Sequence, residues 1–217
     1  MKNTIFQVSI FLFFLIGCNN KAAVVQQWPG RDTTIVLKDS LGLIHLRIPI
    51  KFDTFLVWTR YSDCYSCGEE KYRFQIRKNP IFLESGWYWK GDPKDSIDEL
   101  SIKHTVGVII KDTISDSRML ELHLLHMANY KEDPSLIPII WDTVQMINKK
   151  WYSIASIKQY DEKLRIYSKI LIAVTMSRGN EIEFKFRKAS KFNDSSMVNF
   201  VPASIQCLSS VEFSNPK

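Results

Sequence analysis

The chain has 217 residues, 45% of them hydrophobic and 24% charged, with only eight glycines and eight prolines. Those proportions exclude a disordered, collagen-like or disulfide-dense chain and allow one domain with a proper core. The formal net charge of +6 favours anionic partners in general and argues only weakly for nucleic acid. Met1-Lys2-Asn3 is a short, positively charged start, and an apolar run from Ile5 to Ile16 follows it. A spanning helix needs about 20 apolar residues, so this run reads as a secretory signal rather than a span.

The run ends in Leu15-Ile16-Gly17-Cys18, which resembles the lipobox of bacterial lipoproteins. Gly17 leaves a peptidase room to cut, and Leu15 fills the apolar position two residues further back. The resemblance implies that residues 1–17 are a signal peptide and that Cys18 carries lipid, leaving 200 residues from Cys18 to Lys217. Lipid would hold the chain to a membrane while the domain stays in the periplasm or outside the cell. Asn19 is not the aspartate that marks inner-membrane retention, so in a bacterium with two membranes the outer one is expected. Residues 18–33 read as the lipidated tether and residues 34–217 as a single domain.

Within that domain, Thr34–Lys38 and Leu43–Ile50 alternate as half-buried strands about a turn-like Lys38–Gly42. Thr54–Tyr61 and Lys71–Lys78 are the next strands, and residues 79–96 read as a long connection. Thr105–Thr113 looks like a further strand. A helix capped by Asp116 or Ser117 is expected to run to about Asn129, with Met119, Leu122, His123, His126 and Tyr130 on one side. Residues 139–188 hold four strand-like runs separated by short polar turns, the period of a sheet with one wet and one buried face. The tail offers a helix capped at Asp194 or Ser195, interrupted or restarted at Pro202, and the short Ser210–Phe213.

The expected class is therefore α+β: an antiparallel sheet, with a β-meander over about 139–188, covered by helices. A four-stranded meander followed by a C-terminal helix and a short strand resembles the PsbP-like α/β/α fold over residues 139–213. That resemblance implies a binding or assembly role and assigns no functional residue.

Candidate chemistry is sparse. Cys64-Tyr65-Ser66-Cys67 has the CxxC spacing, but the residues after it alternate like a strand, whereas a redox-active CxxC opens a helix that lowers the thiol pKa. In an oxidising compartment the plain outcome is a small Cys64–Cys67 disulfide in a hairpin loop; a thiol-disulfide redox role is the alternative. Cys207, in the apolar tail helix, is expected to be an inert buried thiol. His123 and His126 lie three apart on the expected helix, but only two metal ligands are visible there, so no metal or cofactor is expected. Trp87-Tyr88-Trp89 beside two glycines offers an aromatic platform for a glycan or a protein partner. Residues 149–191 carry eleven Lys or Arg against four acids, which on a sheet would make a basic outer face. No catalytic motif appears. The expected function is a membrane-anchored, non-enzymatic envelope lipoprotein that binds a protein or glycan partner and no nucleic acid; a glycan-binding lipoprotein and a redox protein are the alternatives.

Overall fold

The computed structural model describes residues 28–60, 68–77, 97–106, 116–132, 138–162 and 165–215. In chain order these form β1 (Gly30–Leu37), β2 (Gly42–Pro49), β3 (Thr54–Arg60), β4 (Glu69–Gln75), β5 (Ile97–Thr105), α1 (Asp116–Glu132), β6 (Ile139–Ile147), β7 (Lys150–Asp161), β8 (Ile166–Ser177), β9 (Asn180–Ser190), α2 (Ser195–Val198), α3 (Phe200–Leu208) and β10 (Glu212–Ser214). Two tight turns set the register of the C-terminal half. Asn148 and Lys149 have φ of 47° and 64°, and Arg178 and Gly179 have 51° and 77°. Two successive residues in the left-handed region match the right-handed twist of the strands they join. These turns place Ile147 opposite Lys150 and Ser177 opposite Asn180.

Seven strands form one antiparallel sheet in the order β3-β4-β5-β9-β8-β7-β6, and β1-β2-β10 form a second. The alternation of β9 decides which face of the large sheet is apolar. Ile182, Phe184 and Phe186 are buried on one face, while Glu181, Glu183, Lys185 and Arg187 take the other. On the apolar face Phe184 sits beside Ile102 of β5 and Ala173 of β8. The small sheet and α3 cover this face, and one cluster joins Ile35, Ile44, Leu46 and Ile48 to Phe74, Leu100, Ile154, Phe184, Phe200 and Leu208. On the opposite face α1 packs over β7 and β6. There Tyr130 meets Ile139, Ile157, Ile170 and Ile172.

The expected α+β class is corrected to mainly β. Strands hold 59% of the described residues and helices 20%. The apolar face of the meander does need a cover, but most of it comes from the β1–β2 hairpin and only part from α3. Both hairpin and meander alternate with period two, so alternation cannot say whether strands share a sheet or stack on one another. A second difference is β5, which is central in the large sheet although no strand was expected between the 79–96 connection and Thr105. Its Asp98, Glu99 and Lys103 look like loop residues, yet each pairs with charges on adjoining elements. β1 begins at Gly30, ahead of the expected Thr34, because polar Arg31 to Thr33 pair with Ile48 to Leu46 of β2. The expected strand at Thr105–Thr113 lies largely outside the described residues.

The tail follows its local chemistry. Asp194 accepts hydrogen bonds from the backbone N–H groups of Ser196 and Met197, capping α2. Pro202 lies in the first turn of α3, where a missing N–H costs little. Replacing Phe184, fully buried at the centre of the apolar face, by Ala is expected to cost about 3–5 kcal/mol. Urea unfolding of the two proteins, compared at equal slope, checks this.

Candidate functional site

Among the described residues, four polar clusters border the apolar cores. The first lies where α3 crosses the end of both sheets. Phe52, Phe186, Phe200 and Cys207 floor a small cleft of about 60 Å³, with Lys51, Asp98 and Lys188 at its rim. Asp98 receives Lys51, and the Lys188 ammonium lies 3.5 Å away. Cys207 donates its thiol hydrogen to the Arg47 carbonyl at 3.3 Å, and burial pushes its pKa up to about 12.

The second cluster lies under the β1–β2 edge. The Glu70 carboxylate is buried and pairs with Lys38 at 2.7 Å, while the Thr59 hydroxyl donates to it. The Tyr72 hydroxyl donates to the Val36 carbonyl at 3.0 Å, and burial together with Glu70 pushes its pKa up to about 12. His104 donates from Nδ1 to the Thr105 carbonyl at 2.9 Å. Burial lowers its pKa, the backbone bond and Glu70 opposing, which favours the neutral ring. His45 bridges the small sheet, with Nδ1 2.9 Å from the Thr34 hydroxyl and Nε2 2.9 Å from that of Ser214.

The third cluster belongs to α1. Helical spacing turns Met119, His123, His126 and Met127 inward together, and all four are buried. His123 Nδ1 is 2.9 Å from the Ser153 hydroxyl and its Nε2 is 3.5 Å from Asp142. Serine, histidine and aspartate in that order suggest a hydrolytic triad. Ser153, however, is 2% exposed on β7 beneath the helix, where no substrate carbonyl reaches it. The arrangement ties α1 to β6 and β7. His126 Nε2 reaches Glu181 of β9 at 3.3 Å, and its ring stacks on Tyr130. The two histidines therefore go to different carboxylates. Among the described residues no three His, Cys, Asp or Glu side chains gather to hold a metal.

The fourth is a charge ladder across β4, β5 and β9 on the α1 side of the large sheet. Lys103 lies between Glu69 and Glu183, at 3.3 and 3.4 Å. Burial works against its charge, but Glu183 and Glu69 outweigh it and hold the pKa above the ordinary lysine value. Arg73 sits 3.7 Å from Glu99 and against the Trp58 ring at 4.8 Å. The basic outer face expected from residues 149–191 is dispersed by such ties. Lys150 donates to the Met176 carbonyl, Lys169 to that of Met197 and Arg178 to that of Ser40.

Of the residues singled out from sequence, Cys18, Cys64, Cys67, Trp87, Tyr88 and Trp89 lie outside the described residues. Cys207 and both α1 histidines are placed. Their partners Ser153, Asp142 and Glu181 were not found from sequence. Each stands alone on a strand with no linear motif, and only strand register brings it under the helix.

No family model matches the chain, and no curated protein does. Among solved structures, a crystal structure from Bacteroides thetaiotaomicron is similar at 11% identity with a TM-score of 0.37, over 79% of this chain and 45% of that one. The chain thus spans less than half the length of that protein.

Two expectations follow from these contacts. The Cys207 thiol will not react with a disulfide reagent in the native protein and will react fully once urea unfolds it; timed thiol titration checks this. Glu181 is held below the ordinary carboxylate range, first by the hydrogen bond from His126, with burial opposing and the charges of His126 and Lys103 assisting. Its contribution to stability is therefore complete above the unfolded pKa of about 4.5 and is lost as pH falls through the folded value. Glu181→Gln is expected to destabilise the fold at pH 6 by no more than about 1 kcal/mol, since the pair is partly exposed. The difference from wild type should shrink as pH falls below about 4.5 in urea midpoints measured across pH.

Proposed function

We propose that the chain is a lipid-anchored protein of the bacterial cell envelope whose mainly β domain works by binding a protein or glycan partner. The observation that carries this reading is Leu15-Ile16-Gly17-Cys18, directly behind an apolar run too short to span a bilayer. Cysteine at that place, behind a small residue, is the acceptor that lipoprotein processing requires. Among the described residues no helix is long and apolar enough to cross a membrane, so in this reading lipid at Cys18 supplies the attachment. Binding, rather than turnover, is favoured by how the polar clusters are used. The Ser153 hydroxyl is shut beneath α1, and the Glu70 and Lys103 charges are tied into the sheets. Exposed large apolar side chains, among them Leu120 and Leu124 of α1 and Trp141 and Met146 of β6, are available for such contacts.

Cys18→Ala is expected to abolish incorporation of labelled fatty acid and to move the domain from the membrane fraction to the soluble one. Expression in a bacterial host with radiolabelled palmitate, followed by fractionation, measures both. A Cys18→Ala chain that still takes up lipid would refute the anchor.

A further inference from the structure

We propose that the cleft between α3 and the ends of both sheets binds a small organic carboxylate with a short apolar chain. The proposal goes beyond the partner-binding reading and depends on neither the lipid nor that partner. Strand register builds the site. The apolar face of the large sheet runs in cross-strand rows, Ile102–Phe184–Ala173 and then Leu100–Phe186–Leu171. The next row is Asp98–Lys188–Lys169, continued on β7 by Lys158. The two-residue period of the strands thus puts one acid and three lysines where the core face would otherwise go on with apolar side chains. α3 and the link between β2 and β3 close over this row and leave the cleft, whose lining residues are all among the described ones. Phe52, Phe186 and Phe200, all buried, give it an apolar floor.

The row is short of negative charge. Lys169 donates to the Met197 carbonyl at 2.6 Å, a neutral acceptor. Burial and the neighbouring Lys158 work against its charge and lower its pKa. Asp98 is shared by Lys51 and Lys188, with the Lys188 ammonium 3.5 Å away. The Lys188 side chain is only 12% exposed, and among the described residues it makes no closer ion pair. Glu99, also in the lining, lies with Arg73. Asp194, the next acid near Lys188, holds the cap of α2. Like charges directly opposite one another destabilise a sheet, so Lys188 beside Lys169 calls for a further anion.

A ligand carboxylate between Lys51 and Lys188 brings that group to two acids and two ammoniums, which is neutral. Its carbon chain lies on the three phenylalanines and leaves water. Size limits the chain. The cleft of about 60 Å³ is far below the roughly 150 Å³ that takes a benzene ring, so a chain of a few carbons fits.

Butyrate is the probe for the test. The full chain in detergent, with detergent alone as the blank, is titrated while broadening of the butyrate methyl resonance is followed. Wild type is expected to bind butyrate in the millimolar range and butylamine not at all. Acetate, two methylenes shorter, is expected to bind about tenfold more weakly. Lys188→Met should weaken butyrate binding at least about tenfold. A wild type that does not broaden butyrate, that binds butylamine equally, or that holds acetate as tightly overturns the proposal. So does a folded Lys188→Met chain with unchanged affinity. If circular dichroism shows Lys188→Met unfolded, Lys51→Met, at a side chain 46% exposed, replaces it: weakened binding with the fold kept supports the proposal, and unchanged binding overturns it. None of these readouts involves Cys18, so failure of the anchor and failure of the cleft are seen separately.

Discussion

The structure depends on one row of side chains that crosses the large sheet. Val57, Tyr72, Ile102, Phe184, Ala173 and Ile154 lie opposite one another from β3 to β7, and the last five are almost wholly buried. A sheet that commits so much apolar surface to one face must have most of that face covered; only at the β3 edge, where Val57 is 49% exposed, does the cover thin out. Ala173 matters as much as Phe184. A small side chain on β8 leaves the space into which the ring of Phe184 and that of Tyr152 on β7, 6.2 Å apart, can pack. The small sheet, α3 and the tight turns that align the strands are all consequences of that requirement.

The other face obeys different physics. It carries too many charges to be sealed by apolar residues alone, and among the described residues a helix lies only over its β6–β7–β8 part. Across β4, β5 and β9 much of the charge is satisfied within the sheet, with Lys103 between two glutamates, although Lys71 lies directly opposite Lys103. α1 settles on the boundary between these regimes. Its Tyr130 packs on the aliphatic cluster, while His123 and His126 reach over to Ser153, Asp142 and Glu181. Buried imidazoles need partners, and these strand residues supply them from positions that would otherwise be uncapped.

What was legible in the sequence was local and periodic. The β6–β9 meander, the extent of α1, the Asp194 cap and the buried Cys207 all come from patterns within a dozen or so residues. What was not legible needs the third dimension. β5 was missed because Asp98 and Glu99 look solvated until Lys51, Lys188 and Arg73 are brought to them from other elements. The two-sheet architecture was missed because Ile44, Leu46 and Ile48 alternate in the same way whether they extend a sheet or lie across one. The Ser153–His123–Asp142 chain has no linear signature at all. The strongest sequence signal, at Cys18, falls outside the described residues.

The small sheet shows why the domain must form as a unit. β2 lies between β1, near the start of the described chain, and β10 at its end. His45 and Ser214, 169 residues apart, share a hydrogen bond, and the Arg47 N–H donates to Ser210. Alone, the β1–β2 hairpin would expose Ile35, Leu37, Ile44, Leu46 and Ile48 to water, because their cover is the large sheet, α3 and Val211. Nor can the large sheet keep its Phe184 row dry before that hairpin arrives. Each sheet is the other's core, and the strand that locks them is the last one made. Such non-local closure carries a large loop entropy that is repaid only when both sheets dock, so partial structures gain little and folding is cooperative and slow.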